Sequence, residues 1–97
     1  MDLEVHWTLT AKSTFDTIVA LIEEQWSMSS SDKFVQTTKK SLLNISRQPF
    51  MFPESGIENV RKAVITKQTS VFYEVHEDKI VLLFFWDNRQ DPLIPLF

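Results

Sequence analysis

Cysteine is absent from this 97-residue sequence, and glycine occurs once, at Gly56. Without cysteine the chain forms neither disulfides nor thiolate metal sites. A single glycine excludes phosphate-binding loops, because the dinucleotide fingerprint and the P-loop each need several glycines for close backbone approach. Nucleotide-cofactor enzymes are therefore disfavoured, and we expect no cofactor.

The usual catalytic and metal-binding patterns are also missing. His6 and His76 lie far apart in the sequence, and no cluster of carboxylates joins either of them, so we expect no metal site. No Gly-x-Ser-x-Gly elbow is present to activate a serine. The acidic residues fall in predicted turns and on exposed faces, which does not favour paired-carboxylate catalysis.

Long apolar runs are absent as well. The longest continuous run, Ile80 to Trp86, is far shorter than the roughly 20 residues that span a bilayer. The N-terminus carries Asp2, Glu4 and His6 and does not resemble a signal peptide. We therefore expect one soluble cytoplasmic domain over residues 1–97, with no membrane contact. Its net charge of −3 and pI near 5.3 argue against a general phosphate-binding surface.

Periodicity predicts the order of the secondary-structure elements. Alternating apolar residues predict a strand over residues 2–9, and Thr10 is expected to cap a helix that ends near Trp26. Ser31 to Ser46 continues as a second helix. Three strands follow, over residues 60–66, 70–76 and 79–86, joined by short polar turns. The predicted fold is α+β with the order β-α-α-β-β-β, in which an antiparallel helix hairpin packs on one face of a mainly antiparallel four-stranded sheet.

The last strand is apolar on both faces, although one helical layer covers only one of them. Strict alternation puts Ile80, Leu82, Phe84 and Trp86 on one face and Val81, Leu83 and Phe85 on the other. Three segments are candidates for covering the second face: the apolar loop 49–53, the tail 93–97, or a partner chain.

Four residues stand out as candidates for chemistry: Arg61, Lys62, Tyr73 and Arg89. Arginine clamps phosphates, and tyrosine stacks on a base or transfers a proton, so this set suits RNA binding or cleavage. Arg61, Lys62 and Lys67 also suggest a local basic face, with ordinary solvated strand residues as the alternative. Arg89 has a second interpretation, in which it ties the end of its strand to Asp87 or Asp91.

Several segments together resemble toxins of the RelE/ParE superfamily, from bacterial type II toxin–antitoxin modules. The similarity covers residues 3–92 and is strongest at the Arg61-Lys62 pair, at Phe72-Tyr73-Glu74-Val75 and at the ending Arg89-Gln90-Asp91-Pro92. The resemblance implies a toxin neutralised by a cognate antitoxin. One branch of the superfamily cuts messenger RNA on the ribosome, and the ParE-like branch inhibits DNA gyrase by protein binding.

The ParE-like branch is favoured. Residues 93–97 contain no Tyr or His to move a proton, and the acidic pI disfavours docking on ribosomal RNA. Together with the uncovered apolar face to which strict alternation assigns Phe85, the resemblance implies that Arg61, Lys62, Phe85 and Arg89 contact the antitoxin or the target. In the alternative, a ribosome-dependent endoribonuclease, the catalytic residues are Arg61, Tyr73 and Arg89. A third possibility is a decayed toxin that retains only antitoxin binding.

Overall fold

The computed structural model describes residues 2–89. Its elements follow the predicted order, and their bounds are β1 Glu4–Trp7, α1 Leu9–Gln25, α2 Met28–Arg47, β2 Arg61–Thr66, β3 Thr69–Val75 and β4 Lys79–Asp87. The sheet has the strand order β1-β4-β3-β2, with β1 parallel to β4 and the other two pairs antiparallel. The predicted α+β class and mainly antiparallel sheet are confirmed.

The start of α1 differs from the prediction by two residues. Thr8, rather than Thr10, is the N-cap, and its Oγ1 accepts a 3.0 Å hydrogen bond from the Ala11 N–H. The same hydroxyl donates to the Leu82 carbonyl of β4 at 2.8 Å, so it fixes the helix start to the sheet. Leu9, which the alternation assigned to the strand, is the first helical residue and is 90% exposed.

The second helix begins earlier than predicted, because Ser27 caps it. The Ser27 Oγ accepts a 3.0 Å hydrogen bond from the Ser30 N–H, which satisfies one of the free donors of the first turn. The two helices meet where Phe15 stacks on Phe34, with ring centroids 5.7 Å apart. Within residues 2–89, no helix is long and apolar enough to cross a membrane.

A β-bulge in β4 changes which side chains reach the core. Tyr73 pairs with Leu82, and Phe72 pairs with Phe84, so Leu83 is the extra residue. The predicted alternation is therefore wrong beyond this point. Phe85 lies on the helix side with Leu82, in the core cluster. Its backbone N–H donates to the Thr14 Oγ1 of α1 at 2.9 Å, which gives the bulged backbone a partner outside the ladder.

The core lies between the helix hairpin and this inner face of the sheet. Phe85 is 2% exposed, and its ring centroid is 5.0 Å from that of Phe15 and 5.3 Å from that of Trp7. The fully buried apolar members of the core come from the two helices and from the strands β3 and β4: Ala11, Ile45, Val71, Tyr73, Ile80 and Leu82.

The outer face of the sheet also carries aromatic side chains. Phe72 and Phe84 stack there with centroids 4.6 Å apart, and the Lys62 ammonium lies 5.9 Å from the Phe72 ring. The loop 49–53 does not cover this face, because its Phe52 packs against the helix-side core. The tail 93–97 lies outside the described residues.

Candidate functional site

Arg61 is the first residue of β2, and its side chain binds the loop between α2 and β2. Its Nη1 donates a 2.6 Å hydrogen bond to the Phe52 carbonyl. Its guanidinium carbon lies 5.0 Å from the centroid of the Phe50 ring, which is a cation–π distance. Arg61 therefore fixes both the backbone and one side chain of this loop.

Tyr73 lies directly opposite Arg61 in the sheet and binds the same loop. The side chain is fully buried, and its hydroxyl donates a 2.7 Å hydrogen bond to the Pro49 carbonyl. Burial raises the pKa of Tyr73 to about 12, although the nearby Arg61 charge acts in the opposite direction. A buried, hydrogen-bonded phenol with this pKa is poorly suited to proton transfer near neutral pH.

We call residues 48–54 the clamped loop. Besides the contacts of Arg61 and Tyr73, the Lys62 N–H donates to the Pro53 carbonyl at 3.1 Å, and the Met51 N–H donates to the Gln48 carbonyl at 3.1 Å. An isolated bridge also pairs Glu54 with Arg61. The loop backbone is thus held along its length against the start of β2.

Arg89 ties the end of β4. Its Nη2 lies 2.7 Å from Asp87 Oδ2, its Nε lies 3.0 Å from Oδ1, and its backbone N–H donates to Oδ1 at 2.9 Å. Side-chain hydrogen bonds from Arg89 lower the pKa of Asp87, against the opposing effect of burial. The tie to Asp87 is one of the interpretations drawn from the sequence, whereas Asp91 lies outside the described residues.

The three residues of the nuclease alternative do not converge. Arg61 and Tyr73 are paired at one end of the sheet, where Tyr73 faces Leu82. From Leu82 the chain runs along β4 to Arg89 at the opposite end, which is roughly 20 Å at the rise of a strand. Among the described residues, the structure brings two of the predicted catalytic residues together and leaves the third far away.

The predicted binding residues are also dispersed. Arg61 and Lys62 are adjacent in one strand and therefore point to opposite faces, so they do not form a basic face with Lys67. Phe85 is buried against Trp7 and Phe15, so its side chain does not present a contact surface. The expectation that Phe85 touches a partner relied on strict alternation, which the bulge at Leu83 breaks. No group of three or more potential ligands in residues 2–89 is arranged to hold a metal ion.

Comparison with known proteins gives the family. Residues 5–92 match the sequence model of the family described as the ParE toxin of type II toxin–antitoxin systems, parDE. The chain belongs to the ParE toxin family. It is therefore the toxin component of a type II toxin–antitoxin system. No curated protein matches the sequence.

Solved structures share the fold of this ParE toxin at low sequence identity. The chromosomal ParDE system of P. aeruginosa matches with a TM-score of 0.78 at 17% identity, over 88% of this chain and 95% of that chain. A conserved hypothetical protein of Helicobacter pylori matches with a TM-score of 0.60 at 16% identity, over 91% and 97%. The DinJ–YafQ toxin–antitoxin complex of E. coli matches at 0.53 and 8% identity, over 92% and 96%.

Two apolar surfaces of this ParE toxin were not identified from the sequence. One is the tip of the clamped loop, where Phe50 and Met51 are 66% and 59% exposed. The loop 49–53 was a candidate for covering the second face of the sheet, but among its apolar side chains Phe52 packs against the helix-side core, and Phe50 and Met51 stay exposed. The other is a groove of about 330 Å³ between the helix hairpin and the β2–β3 turn, with Trp26 on its rim and Arg89 on its wall. In the sequence, the signal for the exposed loop tip was the pair of prolines, Pro49 and Pro53, on either side of residues 50–52.

Proposed function

We propose that this ParE toxin arrests growth by binding DNA gyrase in the cytoplasm and that a cognate antitoxin neutralises it. Gyrase as the target follows from the ParE-like branch of the family. The proposal describes a protein poison that blocks its target by contact, without a catalytic reaction of its own.

The proposal rests on the hydrogen bonds that Arg61 and Tyr73 make to the protein's own backbone. Arg61 donates to the Phe52 carbonyl at 2.6 Å, and Tyr73 donates to the Pro49 carbonyl at 2.7 Å. Both polar groups are thus occupied by the protein's own backbone, and Arg89 is paired with Asp87 at the other end of the sheet. An RNA-cleaving centre needs such groups turned towards a phosphate and within reach of one another.

The charge distribution supports the same proposal. The net charge is −3, and adjacent cations of β2 point to opposite faces. Binding to ribosomal RNA draws its affinity from neutralised phosphates, which requires a continuous basic surface. Binding to a protein target does not require a continuous basic surface.

An antitoxin partner is supported by the structures with this fold, which include the P. aeruginosa ParDE system and the DinJ–YafQ complex. It is also supported by the apolar groove beside Trp26. Antitoxin segments that fold on binding bury apolar side chains in grooves of this type.

Induction in a bacterial culture tests the proposal, with wild type and Tyr73→Phe compared. Plasmid supercoiling is followed on chloroquine gels, and message integrity is followed by primer extension. We expect both proteins to arrest growth, to relax or break DNA and to leave messages intact. Codon-spaced cleavage of translated messages that disappears in Tyr73→Phe would instead identify the ribosome-dependent nuclease. Absence of growth arrest would identify a decayed toxin.

A further inference from the structure

The tip of the clamped loop combines two large exposed apolar side chains. Phe50 is 66% exposed and Met51 is 59% exposed, whereas the neighbouring Phe52 packs against Tyr73 with centroids 6.5 Å apart. Phe52 is therefore the side chain of this loop that packs against the core, and folding does not require an aromatic ring at position 50 or a thioether at position 51. Aromatic residues and methionine are enriched where protein surfaces meet.

The tip is presented on a fixed backbone. Several hydrogen bonds hold the loop, including those from Tyr73 to Pro49, from Arg61 to Phe52, from Lys62 to Pro53 and from Met51 to Gln48. The Arg61 guanidinium also stacks on the Phe50 ring at 5.0 Å, which restricts that side chain. A contact surface that is ordered before binding loses less conformational entropy when a partner arrives.

Two acidic side chains and one cation lie beside the tip. Between residues 48 and 60 the chain contains Glu54 and Glu58, both exposed, and no Lys or Arg. The Arg61 cation at the base of the loop donates to backbone carbonyls. Glu54 and Arg61 both line a depression of about 180 Å³ next to Phe50. Because the Arg61 donors are engaged by loop carbonyls, Glu54 and Glu58 are the charged groups left to pair with a partner.

We propose that Phe50 and Met51 are the contact by which this toxin binds its target protein. The complementary surface on the target is an apolar pocket bordered by basic side chains, which pair with Glu54 and Glu58. This inference rests on the proposed function, since it assigns the surface that engages gyrase. Arg61 and Tyr73 act in it as positioning residues that hold the loop.

The chain offers a matched control for the substitution at Met51. Met28 is 64% exposed at the start of α2, close to the 59% of Met51, so Met28→Ala removes the same side chain at a similar exposure elsewhere. Purified wild type, Met51→Ala, Phe50→Ala and Met28→Ala are compared in three measurements. These are gyrase supercoiling inhibition, growth arrest after induction, and co-purification with the cognate antitoxin. Thermal melting monitored by circular dichroism checks that each variant is folded.

We expect Met51→Ala and Phe50→Ala each to weaken gyrase inhibition by at least about tenfold, which exceeds the loss found at most interface residues. Met28→Ala is expected to stay within about twofold of wild type, and all variants are expected to co-purify with the antitoxin. Charge reversal at Glu54 and Glu58 to Lys is expected to reduce the association rate most at low salt.

The outcomes separate this inference from the proposed function. If wild type arrests growth without inhibiting gyrase, the proposed target is wrong, and the growth-arrest assay alone then tests the assignment of the loop. Equal growth arrest by Met51→Ala and Met28→Ala overturns the loop assignment. Loss of antitoxin co-purification in Met51→Ala also overturns it, because the tip would then be an antitoxin contact. A wild-type chain without growth arrest overturns both proposals.

Discussion

The Tyr73 hydroxyl donates a 2.7 Å hydrogen bond to the Pro49 carbonyl and joins the inner strand β3 to the loop that follows α2. This bond gives the only tyrosine of the chain a structural role. The sequence suggested Tyr73 as an acid or base, but in the fold its buried side chain holds the clamped loop in place.

The first prediction concerns Tyr73→Phe. The substitution removes the hydroxyl and leaves the Pro49 carbonyl without this donor, so the free energy of unfolding should fall by about 1 kcal/mol. Urea denaturation followed by circular dichroism measures the change. Thr17→Val is the control, because it removes a hydroxyl whose hydrogen bond to Ser13 lies on the exposed side of α1. A Tyr73→Phe protein as stable as wild type would contradict the role given to this bond.

The second prediction concerns alkaline pH. The folded pKa of Tyr73, about 12, lies above the ordinary value of 10.0, so folding favours the protonated phenol. Its contribution to stability is complete below pH 10 and is lost as the pH rises from 10 towards 12. Absorbance at 295 nm reports this tyrosine alone, since the chain contains no other. We expect a midpoint near 12 in the folded protein, and a midpoint near 10 under native conditions would contradict the burial.

The third prediction tests how the clamped loop is held. Arg61→Met keeps a long side chain but removes the donor to the Phe52 carbonyl and the charge over Phe50. The Lys62 amide, which donates to Pro53 beside this contact, should exchange its hydrogen faster by at least about fivefold, because local opening becomes easier. Hydrogen exchange measured by NMR gives this rate. Arg47→Met is the control, since Arg47 forms an exposed ion pair with Asp2, and it should leave the Lys62 rate unchanged.

The fourth prediction separates the two phenylalanines beside the bulge. Phe85→Ala should lower the free energy of unfolding by about 3–5 kcal/mol, because it leaves a cavity among Trp7, Phe15 and Leu82. Phe84 is only partly buried on the outer face, so Phe84→Ala should cost less. Guanidinium denaturation of both variants measures the difference. A larger loss for Phe84→Ala would mean that β4 runs without the bulge.

The sequence predicted most of the fold, because the apolar stripe of α1 and the short turns between the last strands are local signals. The bulge at Leu83 was not predictable, since a continuous apolar run looks the same with or without an extra residue. The helix start was misplaced because Thr8 and Thr10 are equally good caps by type. The Leu82 carbonyl, which is distant in sequence, selects Thr8.

The site was less predictable than the fold. Arg61, Tyr73 and Arg89 were grouped by residue type, but strand pairing places Arg89 at the opposite end of the sheet from the other two. Their partners are backbone carbonyls of Pro49 and Phe52 and the carboxylate of Asp87, and only the last is visible in the sequence. Exposure of Phe50 and Met51 likewise depends on how the clamped loop is held, which local patterns do not record.

In the proposed function, this ParE toxin acts on gyrase as a protein ligand and not on messenger RNA as a nuclease. Addition of the purified chain to a gyrase supercoiling assay tests this most directly, with a translating ribosome extract in parallel. We predict concentration-dependent loss of supercoiling, relieved by the cognate antitoxin, and intact messages in the extract. Undiminished supercoiling together with ribosome-dependent cleavage of messages would contradict the account.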